Sequence, residues 1–513
     1  MHIFLYGPSG SGKSTVGKTL AAGLNMPFLD LDAEIEVVIG QRISQFMNEQ
    51  GETAFRDAET DMLREAVEGD EKIIALGGGA LLRDENLTLA ESTGQVILLE
   101  ADLPTLIGRL ARDESERPLL AGGELEAKLS MLLERRREHY DSFPMHANAS
   151  QTLEQVSWDI QRLIGRYHLR SMGTGYDVVV QEGGLDRLGE LLASRNLAGP
   201  VLVVSDTNVA PHYLNRVLRS LETSGYVASE MIIPAGEEHK NLRTIESLWR
   251  NFLEAGLDRK STVVALGGGV VGDMAGFAAA TFMRGCNWVA VPTTLLAMVD
   301  ASMGGKTGFD LPEGKNLVGA FYPPRLVLAD LDVLSTLPSR ELRSGLAEVL
   351  KHGVIADPEL YALCAKGWDA VNARLPEVVR RGVAVKVKVI EEDPYEQGIR
   401  AALNLGHTIG HAVELVSGFS LLHGESVGIG MVAEARLAER LAVAGPGMSD
   451  ALEKTLTALG LPVEIPEDLE RNKLISAMKV DKKKKSGVVR FALPVQVGEI
   501  RVGVEVANLE EVL

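Results

Sequence analysis

Short apolar runs alternate with longer amphipathic stretches over residues 1–165. The runs at 2–6, 72–76 and 95–100 are rich in β-branched, aromatic and other apolar residues, which favour strands. The stretches between them have apolar residues at helical spacing. This alternation predicts an α/β domain in which helices cover a parallel sheet.

A second alternating series begins after a polar stretch near residues 166–177, in which the pattern lapses and glycines occur. It predicts further strands with helices between them, in the manner of a parallel sheet. After about residue 335 the strand-like runs give way to long helical patterns almost to the end of the chain. The strand-like runs of this series are 177–180, 200–206, 229–235 and 261–266.

These changes of pattern predict a chain of several domains, as its length of 513 residues also suggests. Residues 1–165 form the first domain and residues 166–175 a linker. Residues 176–335 form a second α/β domain, and residues 336–513 a mostly helical one.

Composition narrows the class of protein. Hydrophobic residues make up 45% and charged residues 24%, which is ordinary for a globular protein. The net charge of −19 argues against a nucleic-acid-binding surface, and no apolar stretch is long enough to predict a membrane span. The opening residues lack the pattern of a signal peptide, and Cys286 and Cys364 lie far apart without CxxC spacing. We therefore expect a cytoplasmic protein with small-molecule partners.

A phosphate-binding motif follows the first predicted strand. GPSGSGKS at residues 7–14 matches G-x-x-x-x-G-K-[ST] between a strand and a helix, as a phosphate loop requires. The loop N–H groups would cradle phosphates, Lys13 would reach the β- and γ-phosphates, and Ser14 would hold magnesium. The predicted ATP-binding residues are Gly10, Ser11, Gly12, Lys13, Ser14 and Thr15.

Charged residues after this loop predict the phosphate acceptor. Asp30 and Asp32 end an apparent second strand, and arginines recur at positions 56, 117 and 136. Arginines bind carboxylates and aspartates bind hydroxyls. Each arginine alone is more often a surface residue, but together they favour an acidic, hydroxylated acceptor.

LDLD, FRxxE, GGG, RPLL and the arginine before Tyr140 occur in order over nearly all of residues 1–165, and this set resembles shikimate kinases. The resemblance implies a P-loop kinase fold like that of nucleoside monophosphate kinases. It implies that Arg117 closes over the phosphates, that Asp30 supports magnesium, and that Asp32 aligns or deprotonates the hydroxyl. Either Arg109 or Arg112 would contact adenine. The implied shikimate-binding residues are Asp32, Arg56, Gly78, Gly79 and Arg136.

The string ALGGG occurs at 75–79 and again at 265–269, each time after a strand-like run. Glycines there let a backbone approach a ligand closely, although a tight turn without a ligand would look the same. The second copy leads into a predicted helix, as dinucleotide pyrophosphate sites do, but lacks the GxGxxG fingerprint. Polar groups at 205–208 and 234–240 follow other strands, where ligands bind in such sheets.

The helical part carries a possible metal site. Glu348 lies in a predicted helix, and His407, His411 and His423 are three of the ten histidines of the chain. One carboxylate with two or three histidines suits a catalytic zinc ion with an open position. For any single histidine, a hydrogen-bonded structural role is the alternative.

Long strings over residues 172–510 resemble 3-dehydroquinate synthases, among them GGGVVGDMAGF, PTTLLAMVDASMGGKTGFD, AEVLKHG and NLGHTIGHAVE. The resemblance implies zinc on Glu348, His407 and His423, and a fold with a Rossmann-like NAD-binding domain. It implies NAD contacts from Asp206, Asn208, Glu237, Lys240, Gly268, Gly269, Val270, Asp273, Thr293, Thr294, Lys306, Lys315 and Thr336. Substrate contacts would come from Arg284, Asp300, Lys306, Lys315, Asn316, Lys351, Lys386, Arg400, Asn404, His411 and either Lys482 or Lys483.

These resemblances predict a bifunctional enzyme of the shikimate pathway. The first half would phosphorylate shikimate with ATP and magnesium, with Lys13, Asp32 and Arg117 as catalytic residues. The second would convert 3-deoxy-D-arabino-heptulosonate 7-phosphate to 3-dehydroquinate with NAD and zinc, or another divalent metal such as cobalt. The family also implies a homodimer through the second half. The implied catalytic residues of the second half are Arg284, Asp300, Lys306, Lys351 and His411.

Two alternatives remain open from the sequence. One is another small-molecule kinase joined to an NAD-dependent polyol dehydrogenase, which net NADH production would favour. The other is a regulatory fusion in which one half binds a ligand without turning it over. The presence of every expected catalytic residue type in both halves argues against the second alternative.

Overall fold

The computed structural model describes residues 1–112, 125–481 and 489–511. The chain divides into two compact units, Met1–His168 and Leu169–Leu513. Each unit contains a parallel sheet with helices, which confirms the predicted α/β class. Within the described ranges, none of the helices combines the length and the hydropathy that a bilayer span needs.

The first unit is built on a parallel sheet with strand order β2-β3-β1-β4-β5. Side chains of a strand point alternately to the two faces of its sheet. Phe4 and Tyr6 of β1 accordingly belong to one buried cluster, whereas Ile3 and Leu5 belong to another. The sheet is therefore covered on both sides, and its carboxyl edge is left for the loops that follow β1, β2 and β3.

The elements of the first unit follow in chain order. The strands are β1 His2–Tyr6, β2 Phe28–Asp30, β3 Ile73–Ala75, β4 Gly94–Glu100 and β5 His146–Asn148. The helices are α1 Lys13–Leu24, α2 Leu31–Ile39, α3 Ile43–Ala66 with a kink at Gly51, α4 Asp84–Thr93, α5 Leu103–Leu110, α6 Leu125–Asp141 and α7 Leu153–Ile164.

The second unit begins with a parallel sheet in which the strand order runs β7-β14-β11-β10-β8-β9. Its central strands β10 and β11 are buried along almost their whole length, as expected of a sheet covered on both faces. These elements are β7 Tyr176–Gln181, α8 Leu188–Ala193, β8 Val201–Asp206, α9 Ala210–Thr223, β9 Ala228–Ile233, α10 Leu242–Glu254, β10 Thr262–Gly267, α11 Gly269–Thr281, β11 Asn287–Pro292, β12 Lys306–Leu311, β13 Gly314–Phe321 and β14 Leu326–Asp330.

A mostly helical part follows. Helices α12, α15, α16 and α17 have long buried stretches and pack against one another. The elements are α12 Ser339–Ala356, α13 Pro358–Cys364, α14 Trp368–Asn372, α15 Leu375–Glu392, α16 His407–Val416, α17 His423–Arg440, α18 Met448–Ala458, α19 Arg471–Asp481, β15 Val489–Gln496 and β16 Glu499–Val506.

The structure departs from the sequence pattern at three places. Residues Arg166–Leu169, assigned to the linker, form the strand β6. β12 and β13 pair as an antiparallel hairpin, and β15 and β16 form a second hairpin near the end of the helical part. β12 and β13 are rich in glycine and lysine and half exposed, so they lack the apolar runs that predict strands.

Candidate active sites

The phosphate loop of the first unit joins β1 to α1. Gly7, Gly10 and Gly12 have φ angles of 139°, 85° and 88°, a region that favours glycine. A Cβ on Gly7 would lie 2.5 Å from the carbonyl oxygen of Leu99. Lys13 begins α1, and its Nζ donates to two loop carbonyls at 2.9 and 3.1 Å. Because the N-cap Gly12 has no side chain, a bound anion would be the natural acceptor for the first N–H groups of α1.

The other predicted ATP-binding residues lie in this loop or in the first turn of α1. Ser11 is buried and its Oγ makes no hydrogen bond within residues 1–112, 125–481 and 489–511, whereas Ser14 and Thr15 are exposed. Arg109 donates to the carbonyl oxygen of Ser11 at 3.3 Å, while Arg112 is exposed. Arg109 is thus the arginine that contacts the phosphate loop. Arg117 lies outside the described residues.

Two carboxylates approach the first residue of the glycine turn after β3. A Cβ on Gly77 would lie 2.7 Å from Oε1 of Glu59 and 2.9 Å from Oδ1 of Asp32. Burial raises the pKa of Glu59, although Arg56, whose Nη1 donates to it at 2.7 Å, lowers it. Asp30 ends β2 and caps α2, whereas Asp32 lies in the first turn of that helix and not at the strand end.

Two arginines approach the last residue of the same turn. A Cβ on Gly79 would lie 2.8 Å from Nη2 of Arg56 and 3.2 Å from Nη2 of Arg136. Arg136 also donates through Nη1 to the carbonyl oxygen of Gly78 at 2.5 Å, and a Cβ on Gly78 would lie 3.3 Å from the carbonyl oxygen of Gly7. The structure therefore brings the predicted acceptor residues together beside the phosphate loop.

In the second unit, the predicted dinucleotide site lies where β10 ends and α11 begins. A Cβ on Gly268 would lie 3.2 Å from Cγ2 of Thr294, so the glycine turn packs closely on the neighbouring strand end. A cleft there is lined by, among others, Gly268, Gly269, Asp273 and Lys306. Val270 follows in the first turn of α11.

Lys240 joins several predicted contacts of this site. Its Nζ lies 2.8 Å from Oδ2 of Asp273 and 2.7 Å from Oδ1 of Asn316. Burial opposes its charge, but Asp273 and Glu237 raise its pKa. Lys315 extends the group, with Nζ 3.3 Å from Oε1 of Glu237.

The remaining predicted NAD contacts stand at strand ends or turns. Asp206 ends β8 and accepts from the backbone N–H of Asn208 at 2.8 Å. Thr293 follows β11, and its buried Oγ1 has no hydrogen-bond partner in the part of the chain that the structure describes. Thr336 contacts the hydroxyl of Tyr213 at 2.5 Å.

Three helices bring the predicted metal ligands together. Nε2 of His407 and Nε2 of His423 lie 3.7 and 3.5 Å from Oε1 of Glu348. His411 joins them, because each of the three histidines has a ring nitrogen within 4.8 Å of one of the others. Glu348 is fully buried, and its Oε1 faces the two histidines while its Oε2 forms an ion pair with Lys351. A buried carboxylate facing imidazole nitrogens is a donor set that fits a divalent metal ion.

Electrostatics around this cluster favour metal binding. Burial, and next the ammonium group of Lys351, hold the pKa of His407 well below its usual range, so the imidazole is neutral. Burial also opposes the charged form of His423, but hydrogen bonds to Glu348 and Glu414 raise its pKa to about 9. Zinc requires neutral imidazole, so its binding would release a proton from His423.

A buried charged group lies next to the metal cluster. Nζ of Lys351 lies 3.9 Å from Oδ2 of Asp300, and the same lysine forms an ion pair with Glu348. Lys386 forms an ion pair with Asp300. Although burial opposes ionisation of Asp300, the ammonium groups of Lys386 and Lys351 hold its pKa well below the usual range. Lys386 itself has a pKa lowered by burial.

The other predicted substrate residues gather near Glu396. Lys306 donates to Oε2 of Glu396 at 2.6 Å, and Asn404 donates to Oε1 at 3.0 Å. Arg400 is almost fully buried and donates to backbone carbonyls, one of them Gly304 at 3.4 Å. Lys306, Asn404 and Arg400 therefore lie near one another around Glu396.

One predicted substrate contact, Arg284, has no hydrogen bond or ion pair with this group among the described residues. Arg284 is exposed on a turn of positive φ, and in the described part of the chain no hydrogen bond or ion pair involves its guanidinium. Lys482 and Lys483 lie outside the described residues.

The structure also shows functional candidates that sequence reasoning missed. Glu59 is the glutamate of the quoted string FRxxE, one helical turn after Arg56, but it is not among the predicted site residues. Glu396 and Glu414 contact residues of predicted function. Glu414 ends the quoted string NLGHTIGHAVE without a predicted role of its own, and Glu396 is one of many acidic residues. His352 is fully buried, neither ring nitrogen has a hydrogen-bond partner among the described residues, and burial lowers its pKa to about 3.

Both units match models of known protein families. Residues 9–165 match the family model described as shikimate kinase. Residues 230–344 and 345–484 match the models described as 3-dehydroquinate synthase N-terminal and 3-dehydroquinate synthase C-terminal.

Individual relatives cover the second unit. A 3-dehydroquinate synthase of Nostoc punctiforme is 46% identical over 340 residues, or 65% of this chain and 94% of that protein. A 2-epi-5-epi-valiolone synthase of Streptomyces hygroscopicus subsp. jinggangensis 5008, solved with NAD+ and Zn2+, is 29% identical with a TM-score of 0.60, over 66% of this chain and 95% of that one. A 2-deoxy-scyllo-inosose synthase, solved with carbaglucose-6-phosphate, NAD+ and Co2+, is 27% identical with a TM-score of 0.60, over 66% and 94%.

Proposed function

Because the chain belongs to the 3-dehydroquinate synthase family and carries a shikimate kinase domain ahead of it, we propose that it catalyses two reactions of the shikimate pathway. The first is ATP-dependent phosphorylation of shikimate to shikimate 3-phosphate. The second is conversion of 3-deoxy-D-arabino-heptulosonate 7-phosphate to 3-dehydroquinate with loss of phosphate. The two reactions have separate active sites in the two units.

For the kinase reaction, the phosphate loop and Lys13 bind ATP with magnesium, and Arg56 and Arg136 bind the carboxylate of shikimate. The proximity of Gly78 to Gly7, where a Cβ would lie 3.3 Å from the carbonyl oxygen, supports this assignment because the acceptor site adjoins the phosphate site. Asp32 holds the hydroxyl of shikimate and receives its proton. Arg109, at 3.3 Å from the loop carbonyl of Ser11, is the proposed adenine contact.

For the synthase reaction, Glu348, His407 and His423 hold a divalent metal, and the cleft at Gly268 and Gly269 holds NAD. When bound, the metal would supply a Lewis acid and NAD a two-electron acceptor that is restored within each cycle. The observation that carries the proposal is the meeting of these three ligands beside a buried group of lysines.

The chain's own residues then orient the sugar-acid phosphate. Lys306, Asn404 and Arg400 contact its anionic groups, and the almost fully buried guanidinium group of Arg400 stabilises charge better than an exposed group because water is excluded. Asp300 keeps Lys351 and Lys386 in place by ion pairs. His411, which lies next to His407 with ring centroids 5.0 Å apart, contacts substrate or transfers a proton.

Zinc content and single-turnover rates of two histidine variants test the synthase assignment. His407→Ala should lose tightly bound zinc and all synthase activity. His411→Ala should keep most of its zinc but react about 10²-fold more slowly, because it loses a proton-transfer group. Zinc lost from His411→Ala but kept by His407→Ala would show that the two roles are reversed.

Dimerisation through the second unit and a cytoplasmic location remain predictions from the sequence. The proposed contacts of Arg117, Arg284 and one lysine of the pair Lys482 and Lys483 rest on the family resemblance alone.

A further inference from the structure

Helix α16, which begins with His407, has no capping side chain of its own. Its N-cap residue is Gly406, with a φ of 79°. A Cβ there would lie 2.6 Å from Cγ of Met431 and 2.7 Å from the carbonyl oxygen of Val427. The usual capping residues, serine, threonine and aspartate, therefore do not fit. The first N–H groups of α16 need an acceptor from another element.

Glu434 of α17 supplies that acceptor. It is fully buried, and its Oε2 accepts from the backbone N–H of Gly406 at 2.6 Å. Its Oε1 accepts from the N–H groups of Thr408 and Ile409 at 3.1 and 3.3 Å. Burial of a carboxylate is costly, but these donors and the positive end of the helix dipole stabilise its charge. One side chain of α17 thus holds the first turn of α16.

That first turn carries a proposed metal ligand, and α17 carries another. His407 is the first residue of α16, and His423 is the first residue of α17. The two helices are in backbone contact, because a Cβ on Gly430 would lie 1.9 Å from the carbonyl oxygen of Gly406. The position of His407 relative to His423 therefore depends on where the first turn of α16 lies against α17. Glu434 binds that first turn.

On the metal assignment proposed above, on which this inference rests, we propose that Glu434 is a positioning residue for the metal site. It accepts from the backbone N–H groups of Gly406, Thr408 and Ile409, which flank His407. It fixes the start of α16, so that Nε2 of His407 stays within 3.7 Å of Glu348. Outer groups that hold metal ligands in place commonly change metal affinity 10- to 100-fold.

The same helix offers a matched control. Glu439 of α17 accepts from the backbone N–H and the hydroxyl of Ser449 at 2.9 and 2.8 Å, beside the start of α18. The N-cap of α18 is Gly447, which also lacks a capping side chain. Glu439 thus performs the same capping at a helix that carries no proposed ligand.

The test measures zinc affinity by competition with a chelator, together with the melting temperature, in the intact chain. In Glu434→Gln the amide presents N–H groups to backbone N–H groups, so zinc affinity should fall about 10- to 100-fold. Glu439→Gln should lower the melting temperature but bind zinc as the unchanged chain does. Glu434→Asp keeps the charge on a shorter side chain, so its zinc affinity should lie between those of the unchanged chain and Glu434→Gln. It is the variant to measure if Glu434→Gln does not fold.

Two results would overturn the proposal. One is unchanged zinc affinity in the folded Glu434 variants, and the other is an equal loss of affinity in Glu439→Gln, which would indicate general destabilisation. His407→Ala, measured in parallel, distinguishes a failure of the metal assignment from a failure of the positioning role of Glu434. If it loses zinc while Glu434→Gln does not, only the positioning role fails. If it keeps zinc, the metal assignment itself fails.

Discussion

Gly79 has no side chain, and this allows Arg56 and Arg136 to lie close to the glycine turn of the first unit. A Cβ on Gly79 would lie 2.8 Å from Nη2 of Arg56 and 3.2 Å from Nη2 of Arg136. Both guanidinium groups would have to move to admit it. Their present placement is therefore a consequence of glycine at this position.

Gly79→Ala should raise the KM for shikimate at least about 10-fold, because misplaced arginines bind a carboxylate less well. The KM for ATP should stay the same, since the phosphate loop is not touched. Steady-state kinetics with each substrate varied measures both. Gly108→Ala is the control, because a Cβ there meets nothing within 4 Å. An equal effect on both KM values would contradict the assignment.

A half-buried carboxylate, that of Glu71, makes the first unit sensitive to acid. Burial opposes the charged form of Glu71, but Arg166, at 2.7 Å, and the N-terminal ammonium group hold its pKa well below its usual range. In an unfolded chain this pKa is about 4.3. Because the folded pKa is the lower one, Glu71 stabilises the fold above about pH 4, and the stabilisation is lost as the pH falls further.

Glu71→Gln should therefore lower the free energy of unfolding of the first unit by about 1 kcal/mol at pH 7. The difference from the unchanged chain should shrink as the pH falls below about 4. Thermal unfolding between acid and neutral pH measures it. Glu68→Gln removes a nearby exposed carboxylate and should have no such effect. A difference that grows in acid would contradict the sign.

Among individual residues, those that stand in motifs could be predicted from the sequence. Residues that hold the motif residues in place could not. Lys13, Glu348 and His407 belong to strings with a recognisable spacing. Glu396 and Glu434 stand in no quoted string, and Glu414 only ends one. The roles of all three depend on which N–H group or cation lies opposite in three dimensions. Such partners come from other elements, as the bonds of Glu434 to the start of α16 illustrate.

Helices of the second unit approach one another through glycines, and this sets the geometry of the proposed metal site. A Cβ on Gly430 would lie 1.9 Å from the carbonyl oxygen of Gly406. A Cβ on Gly424 would lie 1.8 Å from the carbonyl oxygen of Ser344, in the helix that carries Glu348. α17 is thus in backbone contact with both helices that carry the other ligands.

Gly430→Ala should force α16 away from α17, because the obstructing atom is a backbone oxygen. Overpacking of this kind lowers the free energy of unfolding by about 1–3 kcal/mol, and zinc affinity should fall with it. Denaturant unfolding and chelator competition measure the two effects. Gly445→Ala, where a Cβ meets nothing within 4 Å, should leave both unchanged. Full zinc affinity in Gly430→Ala would contradict the account of the helix packing.

The bounds of a strand could be predicted where the strand is buried, because its residues are then mostly apolar. The strands β1, β4, β8 and β10 are apolar because they lie inside covered sheets, and their bounds follow the apolar runs closely. The hairpin of β12 and β13 is half exposed and rich in glycine and lysine, so it shows no such run. β6 is short and includes an arginine and a histidine. Its sequence therefore looks like the polar stretch around it and does not predict a strand.

The whole molecule consists of two compact units, each with its own sheet and its own candidate site. The string ALGGG serves both units as a strand end followed by a glycine turn. In the first unit it adjoins the proposed shikimate residues, and in the second it opens α11 at the proposed NAD site. The central claim is that one chain carries two independent activities, one of which needs a tightly bound metal.

The most direct test of this claim assays both reactions in the same preparation of the intact chain. After treatment with a chelator and return of magnesium alone, the chain should still phosphorylate shikimate but should release no phosphate from 3-deoxy-D-arabino-heptulosonate 7-phosphate. Zinc should restore that release without net production of NADH, whereas Lys13→Ala should abolish only the phosphorylation. Net NADH from a simple polyol, or loss of both activities in a folded Lys13→Ala protein, would contradict the account.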